Sequence, residues 1–221
     1  MAKKVTVIWH DFYHPKEAIA PMIDEIFASD IWEVTKTMHL RDVVNAAERP
    51  DLVMFYTPGL TEGEEKWTYA ELQKIVDMVA DGMGIMFCHA GMVWADPECP
   101  FTKELNCGDF ISHPARKREN LVHAEQCMVT NIPLMDVNHP ITEGIEPFAA
   151  IDEHYFVAMD PSRTQLLACA SSEHGVTTGV WAHEYGKGRV ACITEGHDEV
   201  MKLPMMRKLT KNAAEWCTRQ K

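Results

Sequence analysis

Histidines and carboxylates are the residues of this 221-residue chain whose placement points to chemistry. There are 11 histidines, and several follow short apolar runs directly instead of lying on polar stretches. The run ending at Trp9 leads into His10, Asp11 and His14, and the run ending at Tyr56 leads into Thr57. Gly84-Ile-Met-Phe leads into Cys88 and His89, and Arg189 to Thr194 leads into Glu195, His197, Asp198 and Glu199. Imidazole titrates near neutral pH and a neighbouring carboxylate fixes its tautomer, so such pairs suit proton transfer. The same groups are nitrogen and oxygen ligands for a divalent ion such as zinc. His10, His14, His89, His113 and His197 with Asp11 and Glu153 suffice for such a centre, and His14 and His89 are the residues assigned to it, although no local HExxH or HxH spacing marks one. Taken singly, each histidine also suits a surface or hydrogen-bonded core position. Their shared place at run ends is what argues for one site.

Gly84-Ile-Met-Phe-Cys-His-Ala-Gly91 has the form of a strand-to-helix elbow, with small residues permitting a sharp turn. Cys88 is one candidate nucleophile there, with His197 as base and Asp198 or Glu199 orienting it. Side chains alternate along a strand, so Cys88 and His89 cannot both face one crevice, and the elbow falls more naturally on His89. The 7 cysteines lack CxxC spacing, which argues against both a disulfide framework and a thiolate zinc site.

The elements that must position these residues read as alternating strands and helices. Lys3–Trp9, Trp32–Met38, Asp51–Tyr56 and Gly84–Cys88 are short apolar or β-branched runs. Between them Lys16–Ala28 and Glu64–Asp81 carry apolar residues at helical spacing, the second stopped by Gly82, while Thr57-Pro58-Gly59 closes the third strand. Continuous apolar strands separated by helices predict a mostly parallel sheet covered on both faces. Ligands of such sheets bind outside the carboxyl ends of the strands, where the histidines stand. Residues 96–119 are irregular and predict a lid or insertion. Glu125–Thr130, Ala149–Ala158, Thr164–Ala170, Val176–His183 and Arg189–Thr194 predict added, partly antiparallel strands, and Lys202–Thr218 a closing helix. Gly186 and Gly188 predict a hairpin turn, not a phosphate loop. One domain over residues 1–221 accounts for the pattern.

Composition bounds the partners. Forty-six per cent hydrophobic residues support a sizeable core, and 21 basic against 33 acidic residues give a net charge of −12, which opposes nucleic acid and anionic membranes. No apolar run approaches the roughly 18 residues of a membrane span, and the polar start predicts a cytoplasmic chain. Met-rich helices and a charged surface are compatible with a homo-oligomer.

In its second half the chain carries, in order, Gly108-Asp-Phe-Ile-Ser-His113, Asn138-His-Pro-Ile141, Ile151-Asp-Glu-His-Tyr155, Gly179-Val-Trp-Ala-His183, Tyr185-Gly-Lys-Gly-Arg-Val190, Thr194-Glu-Gly-His-Asp198 and Asn212-Ala-Ala-Glu-Trp216. Together with the Asp11-xx-His14 turn and the strand-end His89, this series resembles the ThuA-like (trehalose-utilisation) family over essentially the whole chain. The resemblance implies a flavodoxin-like, class I glutamine amidotransferase-like α/β fold in which the elbow cysteine has become His89. It carries the family's His-Asp pair onto His197 and Asp198, and implies action on a disaccharide or keto-sugar. His10 departs from the small polar residue usual there. The expected catalytic groups are His89, His197 and Asp198, and the expected carbohydrate contacts are Asp11, Tyr56, His113, Glu153 and Tyr155. Two functions follow from this: a hydrolase or lyase acting on a sugar derivative, or a non-catalytic sugar-binding or regulatory module on a scaffold that lost its nucleophile.

Overall fold

The computed structural model describes residues 2–11, 13–57, 67–94, 96–118 and 121–221. In chain order these form β1 (Lys3–Ile8), α1 (Lys16–Ile26), β2 (Trp32–Thr37), α2 (Leu40–Val44), β3 (Leu52–Phe55), α3 (Tyr69–Ala80) and β4 (Gly84–Cys88). After a short 3-10 turn at His89–Met92 and a π-helical turn at Phe101–Asn106 come β5 (Gly108–Ser112), β6 (Ala115–Arg118), β7 (Leu121–Ala124), β8 (Gln126–Pro133), β9 (Phe148–Glu153) and β10 (Phe156–Met159). The chain closes with β11 (Gln165–Ser172), β12 (Gly175–Tyr185), β13 (Gly188–Ile193), α4 (Asp198–Met201) and α5 (Pro204–Cys217).

The main sheet has nine strands in the order β2-β1-β3-β4-β13-β12-β11-β8-β9. Its first five strands pair in parallel, in the flavodoxin-like order with β13 in fifth place. The other four extend it antiparallel. Every residue of β3 and β4 is buried, because helices cover both faces. Alternation divides them between two cores. Leu52, Met54, Met86 and Cys88 pack with α1 and α5; Val53, Phe55, Ile85 and Phe87 pack with α2, α3 and the π-helical turn.

Several expected boundaries move for identifiable reasons. The helix foreseen from Glu64 starts at Tyr69, because Thr68 and Glu71 form a reciprocal capping box that leaves Trp67 outside it. The foreseen Pro58-Gly59 turn and the start of that expected helix lie outside the described residues, as does Glu119. The single strand expected over Ala149–Ala158 is two. His154 and Tyr155 are both buried, which breaks the in–out alternation, and β10 leaves the main sheet to pair with β5. The closing helix begins at Pro204, whose missing N–H suits a first helical position. In the segment expected as a lid, the π-helical turn puts Phe101 and Leu105 in the core, and β5 pairs with β10 and sets Phe110 and His113 against Tyr155. The foreseen hairpin joins β12 to β13 with Gly186 at φ +58°. Among the described residues no helix is long and apolar enough to cross a membrane.

Candidate active site

Four side chains meet where the parallel strands end. The ligand atoms of His14, His89, Glu153 and His197 all lie within 4.8 Å of one another. Three of the residues follow parallel strands β1, β4 and β13, and the fourth ends the edge strand β9. Glu153 Oε2 is 3.9 Å from His89 Nε2 and 3.5 Å from His197 Nε2, too long for well-formed hydrogen bonds.

Local sequence fixes each group. After β1 the chain turns through His10 at φ +76°, and the Asp11 carboxylate accepts the backbone N–H groups of Tyr13 and His14 at 2.8 and 2.7 Å. The same carboxylate receives His14 Nδ1 at 2.8 and 3.0 Å, which turns Nε2 toward the cluster. His10 Nδ1 instead accepts the backbone N–H of Lys16 at 3.2 Å, so His10 helps start α1 and stands outside the four-residue cluster.

His89 sits at φ +50°, a left-handed conformation at the elbow itself. Two glycines make room. A Cβ on Gly91 would lie 2.0 Å from the Phe55 carbonyl oxygen, and one on Gly196 2.4 Å from His89 Cβ. His89 Nδ1 donates to the Thr194 carbonyl at 2.8 Å, again leaving Nε2 as the inward lone pair. Tyr155 stacks on its other side with ring centroids 4.3 Å apart and planes at 20°.

Electrostatics separates the imidazoles. Burial, then the neighbouring His197 and His14, push the His89 pKa well down, so it is neutral and able to donate a lone pair. His197 is also penalised by burial, but the Glu153 and Asp152 carboxylates outweigh that and raise its pKa. Glu153 is lowered in turn, its burial offset chiefly by His197.

The other anticipated residues are placed as follows. Asp11 supports His14 instead of lining the cavity. Tyr56 is 1% exposed and packs in the core beside Cys88 and Thr210, so the substrate contact expected of it is not available. Tyr155 is buried against His89 and braces the site from below. His113, at the end of β5, has its Nδ1 3.0 Å from the Pro114 carbonyl and its ring 6.0 Å from Tyr155. Asp198 is the first residue of α4, a position where an acid complements the helix N-terminus; Glu153, not Asp198, is the carboxylate that faces the His197 ring. Cys88 is fully buried and burial pushes its thiol up to about 12, so it is no thiolate nucleophile. The Thr194 carbonyl and Gly196 are parts of the site that residue typing alone did not single out. The Thr194-Glu-Gly-His segment was visible, but a backbone carbonyl and a close approach leave no side-chain signal.

Outside the four residues the crevice opens into a cavity of about 510 Å³ lined by Tyr13, Gln126, Glu153, His197, Asp198 and Glu199. A flavodoxin-like α/β sheet carrying a His-His-His-Glu cluster at its strand ends is the class of protein defined by this fold and site. The chain belongs to the ThuA family, described as trehalose utilisation, whose model matches residues 4–217. Solved structures share the fold at low sequence identity. A ThuA-like protein from Parabacteroides merdae is 17% identical over 100% of this chain and 91% of its own, with a TM-score of 0.73. A cytoplasmic protein from Salmonella typhimurium LT2 is 15% identical over 98% of this chain and 97% of its own, with a TM-score of 0.61. A β-galactosidase from Rahnella is 14% identical over 98% of this chain but only 31% of its own, with a TM-score of 0.63. No curated protein matches the sequence.

Proposed function

We propose that this chain is a metal-dependent enzyme of carbohydrate utilisation, a hydrolase or lyase acting on a disaccharide or keto-sugar. One observation carries the reading: the Nε2 atoms of His14, His89 and His197 are all buried without a hydrogen-bond partner, and they converge with the Glu153 carboxylate. Buried polar nitrogens are costly when unpaired, and three aimed at one point are what a cation would satisfy. Two of the rings have their other nitrogen committed, to Asp11 and to the Thr194 carbonyl, the arrangement that orients histidine ligands. The donor set of three imidazoles and one carboxylate suits zinc or another first-row divalent ion. Such an ion supplies Lewis acidity toward a carbonyl or hydroxyl oxygen.

The chain's own residues account for the rest. Gln126, Asp198 and Glu199 at the cavity wall offer hydrogen-bond partners to sugar hydroxyls. His113 lies outside the ligand cluster, its ring 6.0 Å from Tyr155, and offers a further polar contact to a sugar hydroxyl. The family description supports carbohydrate as the substrate class.

The test is to incubate the ion-loaded chain with trehalose, other disaccharides and their keto derivatives and to analyse products by mass spectrometry. The proposal expects product from at least one of them and none with His197→Ala. Saturable binding by calorimetry without product would instead establish a sugar-binding module.

A further inference from the structure

We infer that Asp152 is a positioning residue that locks two of the four ligand-bearing peptides together. The inference rests on the metal reading above. Asp152 is completely buried, and its carboxylate meets three backbone donors. Oδ1 accepts the N–H of Glu153 at 2.7 Å, and Oδ2 accepts that of Gly196 at 2.9 Å. The N–H of His197 points between the two oxygens at 3.4 and 3.5 Å. Two of these three peptides belong to proposed ligands, Glu153 and His197. The third, Gly196, is the residue pressed against His89.

The position of β9 shows why such a lock is needed. In the sheet, β9 is separated from β13 by β12, β11 and β8. Strand pairing holds Glu153 only through β8, where it faces Gln126. Backbone pairing therefore ties the Glu153 end of β9 to the parallel core only through three intervening strands. Asp152 closes that gap, because it sits on β9 while accepting N–H groups from the loop after β13. Charge-assisted bonds to a carboxylate are about twice as strong as neutral ones, so the geometry is held stiffly.

Asp152→Asn keeps the side chain's volume but replaces one acceptor oxygen with an NH2. In either amide orientation, an N–H of Glu153 or of Gly196 then meets a donor. The ligand carboxylate and the His197 imidazole lose their fixed separation while the apolar core is untouched. Outer partners of metal ligands typically contribute 10–100-fold to affinity, and a loss in that range is expected here.

The experiment titrates Zn2+ into the full chain against a chromophoric chelator, for wild type, Asp152→Asn and Asp152→Ala. Co2+ spectra of the same proteins report ligand geometry, which a purely structural residue would not alter. The inference expects weaker zinc binding by about 10-fold or more and a changed visible Co2+ band in both variants. Unchanged affinity and spectrum in variants of a zinc-binding wild type would overturn it alone. A wild-type chain that takes up no ion would overturn the metal reading and this inference with it. Where a variant does not fold, amide exchange of the wild-type apo chain decides: slow exchange at Glu153 and Gly196 supports the lock, and fast exchange at both overturns it.

Discussion

Replacing Asp11 with Asn isolates the contribution of one charge to the cluster. Asp11 Oδ1 takes the backbone N–H groups of Tyr13 and His14, at 2.8 and 2.7 Å, and His14 Nδ1 at 2.8 Å; Oδ2 takes Nδ1 alone at 3.0 Å. Asn keeps one oxygen, so the turn survives, but it loses the second acceptor and the negative charge. A hydrogen bond to a charged group contributes about 1.5–3 kcal/mol against about 0.5–1.5 for a neutral one. The difference, about 1–1.5 kcal/mol, falls on the tautomer that points Nε2 into the cluster and corresponds to about 10-fold in zinc affinity. Asp11→Ala also releases the turn and should approach 100-fold, near the upper limit usual for such partners. Chelator competition with Zn2+ at neutral pH measures both. Affinities for both variants within about twofold of wild type, well short of the roughly 10–100-fold usual for such partners, would refute the reasoning that Asp11 orients His14 for a metal.

Other consequences can be tested independently. Iodoacetamide applied to the folded chain at pH 8 should leave Cys88 unmodified, because its thiol is buried and pushed up to about 12; rapid alkylation mapped to Cys88 would contradict the site described. Gly196→Ala sets a methyl 2.4 Å from His89 Cβ, and such overpacking costs about 1–3 kcal/mol. Calorimetry should show a melting point lower by about 2–4 °C per kcal/mol, together with loss of bound ion. At the opposite end of the sheet, burial holds the His183 pKa down at about 4. An unfolded histidine titrates near 6.5, so His183 contributes its full stability above that pH and loses it progressively as pH falls toward 4. The loss is at most about 3 kcal/mol, and His183→Gln should flatten the urea stability curve between pH 7 and 4.5. An equally steep loss in the variant would remove His183 as its cause.

What the sequence disclosed was governed by periodicity and by strand ends. The parallel core was legible because β1, β3 and β4 are continuous apolar runs, and the site because His14, His89 and His197 each follow one. Alternation along β4 separated Cys88 from His89, and the structure, while burying both, packs the first into the core and aims the second at the cluster. The break between β9 and β10 was invisible, because it depends on His154 finding Ser172 and Ala170, partners 18 and 16 residues away. Tyr56 was misplaced for a related reason: one residue beyond β3 its side chain still follows the strand's alternation into the core. Asp152 and Glu153 were visible as an acidic pair, but only the turn of β9 toward the β13 loop shows that one is fully buried and the other faces the histidines.

Inductively coupled plasma mass spectrometry of the purified chain, beside His14→Ala and His197→Ala, tests the central claim most directly. The account predicts a near-stoichiometric divalent ion in the wild type that both substitutions remove without unfolding the protein. A wild-type chain that remains metal-free after exposure to zinc, manganese, iron and nickel would contradict it.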